Sequence, residues 1–337
     1  MTIANAEAGD RPLTVEKQGF ATLRRPAGMV LLAALAVAIP FLVEGYTAFQ
    51  FTLAAIYAIA ICGLGLLTGY NGQVSFGHST FFAIGGYTSA ILVEELGMSA
   101  YLTIPIGGIL SAVFGFLFGI TVTRLAGLYL ALATFALAIA TPQILKSSHL
   151  EGLTGGSMGL DIFKPEVPAF LALEPDQYWY FVALVFLVFC LWISGNMINS
   201  RTGRAMIAIR DNPIAAASMG INTTLYKALT FGVSALFAGI AGALCAIVVE
   251  FVAPDSFTFQ ISFLFLTGMV IGGMASLAGA IYGALFVLFI PNFAEDVSKN
   301  LAYAVFGLFL ILAVYVLPRG IAGLVQSVQA KIFPQRY

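Results

Sequence analysis

The chain has 337 residues, of which 60% are hydrophobic and only 9% charged, and its mean hydropathy is +0.97. A soluble domain carries about 25% charged residues, so the composition excludes a soluble globular protein and indicates a chain that crosses a membrane repeatedly. A formal net charge of -1 leaves no broad basic surface for nucleic acid.

Apolar runs lie near 28–45, 48–68, 78–96, 101–122, 125–145, 178–196, 227–252, 262–291 and 300–318. Each approaches the roughly 20 residues that span a bilayer. Arg24 and Arg25 precede the first run, and Ala36-Val37-Ala38 resembles a signal-peptide cleavage site. The apolar content resumes at once, which favours a span. Arg201, Arg204, Arg210 and Lys227 mark the 197–227 loop, and Arg319, Lys331 and Arg336 the tail. With Arg24 and Arg25, these fall on the cytoplasmic side by the positive-inside rule. The 146–177 loop is poor in Lys and Arg and carries Glu151, Asp161, Glu166, Glu174 and Asp176, which places it outside. Tyr178, Trp179 and Tyr180, at the start of the following span, read as an aromatic interface anchor.

Five spans lead from an inside N-terminus to the outer loop, and a sixth returns to the cytoplasm. The way from Lys227 to Arg319 needs an even number of crossings, but only three apolar runs are visible. The run at 262–291 is therefore double: as one helix it would be about 45 Å long, and "IGGMASLAGAIYGA" interrupts it. The total comes to about ten crossings. A second interruption lies around 69–86, where Gly69, Gly72, Gly77, Gly85 and Gly86 fall among Asn71, Gln73, Ser75 and His78. Paired interruptions in two halves of a membrane protein point to a translocation path. Unwound backbone at membrane depth is tolerated only where protein covers it or it lines a wet cavity. The other reading of the same glycines is close helix packing with no path, and at this point both stay open.

In "RDNPIAAASMGIN" the residues punctuate a helix of about two turns, with Asn212 as N-cap, Pro213 at the first position and Gly220 as a left-handed C-terminal cap. Its Ile214, Ala215, Ala216, Ala217 and Met219 present a nearly uncharged surface in a loop that ought to face water. Such a surface either meets a partner, folds back on the protein's own end, or lies in the lipid interface.

Four segments, "GYNGQVSFGHSTFFAIGGYTSA", "LTGGSMGL", "GRAMIAIRDNPIAAASMGINTTLYKALTFGVSALFAGIAGAL" and "VIGGMASLAGAIYGA", occur in order between about residues 50 and 318. Together they resemble the permease subunits of branched-chain amino-acid ABC importers, the LivM-like branch in particular. The resemblance implies an all-α, type II ABC importer-like membrane fold with broken or re-entrant segments. It implies no cofactor, two cytoplasmic ABC ATPase subunits, a second related permease subunit and an extracytoplasmic solute-binding protein. It also implies a coupling helix at the ATPase interface, with Arg210, Asp211, Ala215, Ala216, Ala217 and Gly220 as its residues. A Pro213-Ile214 pair stands where that segment often carries acidic residues. The candidate translocation path takes Gly72, Gln73, Ser75 and His78 from the first interruption and Gly272, Gly273 and Ser276 from the second. The expected organisation is a cytoplasmic segment 1–27, a transmembrane domain 28–318 with coupling loop 197–226 and outer loop 146–177, and a cytoplasmic tail 319–337, in a bacterial inner membrane.

The sequence has no G-x-x-x-x-G-K-[ST] phosphate loop, and "GLTGGSMG" at 152–159 lacks the lysine. His78 and His149 are its only histidines and have no second ligand or nucleophile at motif spacing. Cys62, Cys190 and Cys245 lie in apolar runs and read as small buried hydrophobes. A secondary transporter or channel for a small polar solute such as urea or an amide is the alternative, but embedded carboxylates for ion coupling are scarce.

Overall fold

The computed structural model describes residues 36–332, apart from 44, 126, 166, 168–172, 298–301 and 319. The segment 1–27 with Arg24 and Arg25, the start of the first apolar run, Glu44, Glu166, Arg319 and Arg336 lie outside the described residues.

Helix α1 is described over 36–42. Then come α2 (Tyr46–Leu64), which continues as a π-helix (Gly65–Tyr70), α3 (His78–Glu94), α4 (Ala100–Val122), α5 (Leu128–Leu145) and the single turn α6 (Glu151–Thr154). Strand β1 (Leu160–Asp161) precedes α7 (Pro175–Asn199), α8 (Arg201–Asp211), α9 (Pro213–Ser218) and α10 (Thr223–Val249). Strand β2 (Phe251–Val252) and a 3-10 turn (Pro254–Phe257) lead to α11 (Phe259–Gly272), α12 (Leu277–Val297), α13 (Ala302–Val316) and α14 (Gly320–Ile332). Among the described residues, seven helical stretches are long and apolar enough to cross a membrane: Tyr46–Tyr70, Ala100–Val122, Leu128–Leu145, Pro175–Asn199, Thr223–Val249, Pro254–Gly272 and Leu277–Glu295. The protein is a multi-pass, essentially all-α membrane protein.

Helix α10 is the central post, packed along α2, α3 and α4. Small residues let these backbones approach closely. A methyl group at Gly85 would overlap the Gly239 carbonyl, and one at Gly242 would overlap the Phe82 carbonyl. Helices without a hydrophobic drive to associate in lipid gain dispersion energy through such close contact. Gly85 and Gly86 are thus helix-packing residues inside α3, and the first interruption is confined to 71–77. The run at 262–291 is indeed two helices, α11 and α12, separated at 273–276. Buried hydroxyls bond back to their own helices, as Thr134 does to Leu130 O at 3.1 Å and Ser194 to Cys190 O at 2.8 Å, which suits an apolar surround.

One end of the bundle is closed by a two-residue antiparallel ladder that was not apparent from the apolar pattern: Leu160 pairs with Val252 and Asp161 with Phe251. Lys146 meets Asp255 at 2.6 Å there, and Lys164 meets Asp176 at 3.2 Å and Glu250 at 3.8 Å. Trp179 departs from the interface-anchor reading. It is wholly buried, stacked on Tyr101 with ring centroids 5.8 Å apart, while the Tyr180 hydroxyl donates to Ala36 O at 2.9 Å. These aromatics tie α7 to α1 and α4 inside the protein.

The loop 200–222 lies at the opposite end from the ladder. Single cysteines replacing Ser157 and Arg201, both exposed, are expected to react with an impermeant thiol reagent from opposite sides of the membrane. Cys62 and Cys190 are buried, so a Cys245→Ala background suffices. Labelling of both sites from one side would overturn the antiparallel order of the spans.

Candidate functional site

The π-helix at Gly65–Tyr70 loosens the end of α2 before the chain unwinds. Asn71 N donates to Leu66 O at 3.2 Å and Gln73 N to Leu67 O at 3.1 Å, bonds longer in sequence than the α-helical step. Such π-bulges recur at functional sites. Gly72 then takes a left-handed backbone conformation at φ 73°, which only glycine adopts without strain. From Asn71 to Gly77 the chain leaves the helix without becoming a strand: Asn71 is at φ -105° and ψ -6°, Gly72 is left-handed and Gly77 is at φ -99° and ψ 9°. Asn71, Gln73, Ser75 and Gly77 are buried, while Gly72 and Val74 are exposed and Phe76 is half-buried.

Protein groups cover this unwound stretch. The Thr68 hydroxyl donates to Gln73 O at 2.9 Å, Gln73 Nε2 donates to Lys227 O at 3.2 Å, and Phe76 N donates to Thr134 Oγ1 at 3.0 Å. Helix α3 restarts at His78, whose Nε2 lies 2.8 Å from Ser234 Oγ, and Ser234 in turn donates to Gly63 O at 2.7 Å. The backbone N–H of Ser79 donates to Ser262 Oγ at 2.7 Å. His78 Nδ1 and the side-chain amide of Asn71 are buried with no partner among the described residues. Phe76, alone in the stretch, borders an open apolar groove together with Leu128, Leu132, Phe135 and Phe259.

The second interruption turns at Gly273, at φ 120° and ψ 111°, and Ser276 Oγ accepts from Gly279 N at 3.3 Å to start α12. Gly272 is a packing residue, since a methyl there would overlap the Gly279 carbonyl of the neighbouring helix.

The two interruptions meet. The Tyr70 hydroxyl donates to Ala275 O at 2.7 Å, and a methyl on Gly69 would collide with the Met274 carbonyl. A narrow crevice lined by Cys62, Gly65, Tyr70, Gly273, Ser276 and Leu277 runs along the seam. Tyr70 was not singled out in the sequence; its position just before "NGQ" was the available signal. The structure thus brings Gly72 and Gln73 to the same end as Gly273 and Ser276. Ser75 and His78 lie deeper, among α3, α5 and α10.

The segment between α7 and α10 sits at this same end. Ser200 caps α8 by accepting from Thr202 N at 3.1 Å, and α8 buries Met206 and Ile209. Asn212 closes α8 and opens α9: its N–H donates to Ala208 O at 3.0 Å, and its Oδ1 accepts from Ile214 N at 3.1 Å and Ala215 N at 3.0 Å. Helix α9 ends in a Schellman pattern, with Gly220 N donating to Ala217 O, Ile221 N donating to Ala216 O, and Gly220 at φ 80°. Ala216 is buried, whereas Ala215, Ala217 and Gly220 are exposed, and Ile214 and Met219 are 79% and 83% exposed. Asp211 is exposed, but Arg210 turns inward and donates from Nη1 to Gly69 O at 2.9 Å.

Broken helices that seal against each other at one end of an apolar multi-pass bundle are the architecture of a membrane transport protein. The chain belongs to the family described as branched-chain amino acid transport system / permease component, which matches residues 46–314. It is 33% identical over 317 residues to the high-affinity branched-chain amino acid transport system permease protein LivM of Escherichia coli (strain K12), covering 87% of this chain and 74% of that protein. It is 27% identical over 293 residues to the permease protein LivH of the same strain, covering 81% of this chain and 92% of LivH. The permease protein BraD of Pseudomonas aeruginosa is 26% identical over 287 residues, 81% of this chain and 93% of its own length. No solved structure matches the chain.

The seam makes a stability comparison possible. Tyr70→Phe removes one hydrogen bond, worth about 1 kcal/mol, and is expected to lower the melting temperature in detergent by a few degrees. Gly69→Ala forces the two interruptions apart and is expected to lower it further. Gly307→Ala, with nothing near its added methyl among the described residues, should leave it unchanged.

Proposed function

We propose that the chain is the pore subunit of an ATP-driven importer that moves branched-chain amino acids into the cytoplasm. The observation that carries this reading is the convergence of both helix interruptions and the α8–α9 segment on one end of the bundle. The names of the relatives support the solute class.

In this reading α1, α2, α3, α4, α5, α7, α10, α11, α12 and α13 make ten crossings in a type II importer arrangement. The organisation is then an N-terminal segment 1–27, a membrane domain 28–318 and a tail 319–337, in an inner membrane with both termini cytoplasmic. Residues 146–177 face outside and meet a solute-binding protein. Helix α9 is the coupling helix, offering Ile214, Ala215, Ala217, Met219 and Gly220 to one of two ATPase subunits. Gly72, Gln73, Ser75, His78, Gly273 and Ser276 line or support the path, with Gly272 packing behind them. That this chain is similar to both LivM and LivH of one organism supports pairing with a second, related permease. ATP hydrolysis belongs to the separate subunits, and each partner acts by binding one state of the pore more tightly than the other.

Proteoliposomes holding the chain with its partner permease and ATPases, supplied with the cognate binding protein, are expected to take up labelled leucine, isoleucine or valine only with internal ATP. Uptake by this chain alone along an ion gradient would instead favour a secondary transporter. Gly220→Asp sits at an exposed position where a side chain meets nothing among the described residues. It adds left-handed strain of about 1 kcal/mol and a negative charge at a helix C-terminus. The variant is expected to insert normally, to copurify less ATPase and to lose most ATP-driven uptake. Normal coupling would remove α9 from the ATPase interface.

Gly72→Leu puts bulk against the Arg210 stem at a left-handed position. Transport is expected to fall while the ATPases still copurify. Unimpaired transport would detach the first interruption from the path.

A further inference from the structure

Three arginines lie on α8. Arg201 and Arg204 are exposed, as cytoplasmic charges ordinarily are, but the Arg210 side chain is only 24% exposed and runs inward over the first interruption. Its Cγ lies where a methyl on Gly72 would stand 2.8 Å away, so a side chain at 72 and the present course of Arg210 exclude each other. Its Nη1 donates to Gly69 O at 2.9 Å, and its Nε donates to Asp211 Oδ1 at 3.0 Å. Gly69 contributes one of the last carbonyls of the π-helix that ends the second crossing. Such terminal carbonyls lack intrahelical partners and carry the negative end of the helix dipole, where a cation is favoured. The guanidinium therefore sits where a helix end attracts it, on a residue two positions before the cap that joins α8 to α9.

We infer that Arg210 is a positioning residue that transmits displacement of α9 to the end of the π-helix at Gly69 and the broken backbone that begins just after it, and is not itself a contact to the ATPase. The inference rests on the docking role proposed for α9 and adds the route inward. Asn212 caps both helices, so α9 cannot shift without moving the last turn of α8. Arg210 is on that turn and holds Gly69. Gly69 abuts the Met274 carbonyl, and its neighbour Tyr70 bonds Ala275, so movement at Arg210 reaches the second interruption through its contact with Gly69 and these two parallel contacts beyond it. A planar guanidinium fork suits that role because it engages the carbonyl and Asp211 together, which the point charge of a lysine cannot do with the same geometry.

The test uses the full complex in proteoliposomes and reads ATP hydrolysis, solute uptake and ATPase copurification from the same preparation. Arg210→Ala is expected to copurify the ATPases at the wild-type ratio and to hydrolyse ATP. Uptake per ATP should fall at least about tenfold, the scale set by losing one charge-assisted hydrogen bond. Arg210→Lys should recover part of the loss, and Arg204→Ala, the same charge change on the exposed face, should show none of the defect. A cysteine at Val74, 38% exposed on the interruption, should change its thiol reactivity on ATP trapping in the wild type and not in Arg210→Ala. Should Arg210→Ala fail to insert, Gly72→Ala reaches the same contact from the other side and is expected to uncouple likewise. Loss of ATPase copurification in Arg210→Ala would make Arg210 a docking contact and overturn the inference, as would wild-type uptake per ATP with the Val74 response intact. A wild-type chain that binds no ATPase would instead sink the docking role of α9.

Discussion

Backbone that leaves the helix inside an apolar bundle must find its partners within the protein, because lipid offers none. Everything particular to this structure follows from how that demand is met at Tyr70 and Ala275. The phenol bridges one interruption to a main-chain carbonyl of the other, and Gly69 lets the two backbones touch at the Met274 carbonyl. Each interruption is the other's cover. Neither α2 nor α11 can therefore end as it does without its counterpart in the other half of the chain.

The sequence announced both interruptions, because glycines and polar side chains in apolar runs have few uses. It did not say which glycine served which use. Gly72 belongs to the unwound stretch and Gly69 to the π-helix before it, against the Met274 carbonyl, while Gly85 and Gly86 lie in regular helix, Gly85 against the Gly239 backbone and Gly86 against Phe257 and Gly242. Both uses need a missing side chain, and only the position of the neighbouring helix tells them apart. Asn212, Pro213 and Gly220 were legible because caps act through local backbone geometry, which three or four residues suffice to specify.

What was illegible depended on distant partners. Nothing in "RTGRAMIAIRD" distinguishes Arg210 from Arg201 or Arg204 until α8 is formed and laid beside Gly69. Trp179 looked like an interface residue for the same reason, since Tyr101, which covers it, is 78 positions earlier in the chain. The two-residue ladder between Leu160 and Val252 was hidden because its strands are too short to show an alternating pattern.

The far side of the junction is held differently. A methyl on Gly320, at the start of α14, would stand 2.6 Å from the Gly273 backbone, so that helix rests directly on the second interruption as Arg210 rests on the first. At the junction itself the two are joined by one tyrosine hydrogen bond and a van der Waals approach, each worth only about 1 kcal/mol, while behind it α2 packs against both α11 and α12. The α10 packing behind it is an extended run of close backbone contacts with α3 and α4. The junction contacts are the smaller of the two sets. Contacts of that size hold one arrangement without locking it, leaving alternatives within the few kcal/mol that a ligand's differential affinity can shift. The junction of the two interruptions is thus the place in the bundle that both α8 and α14 touch, Arg210 at Gly69 and Gly320 at Gly273.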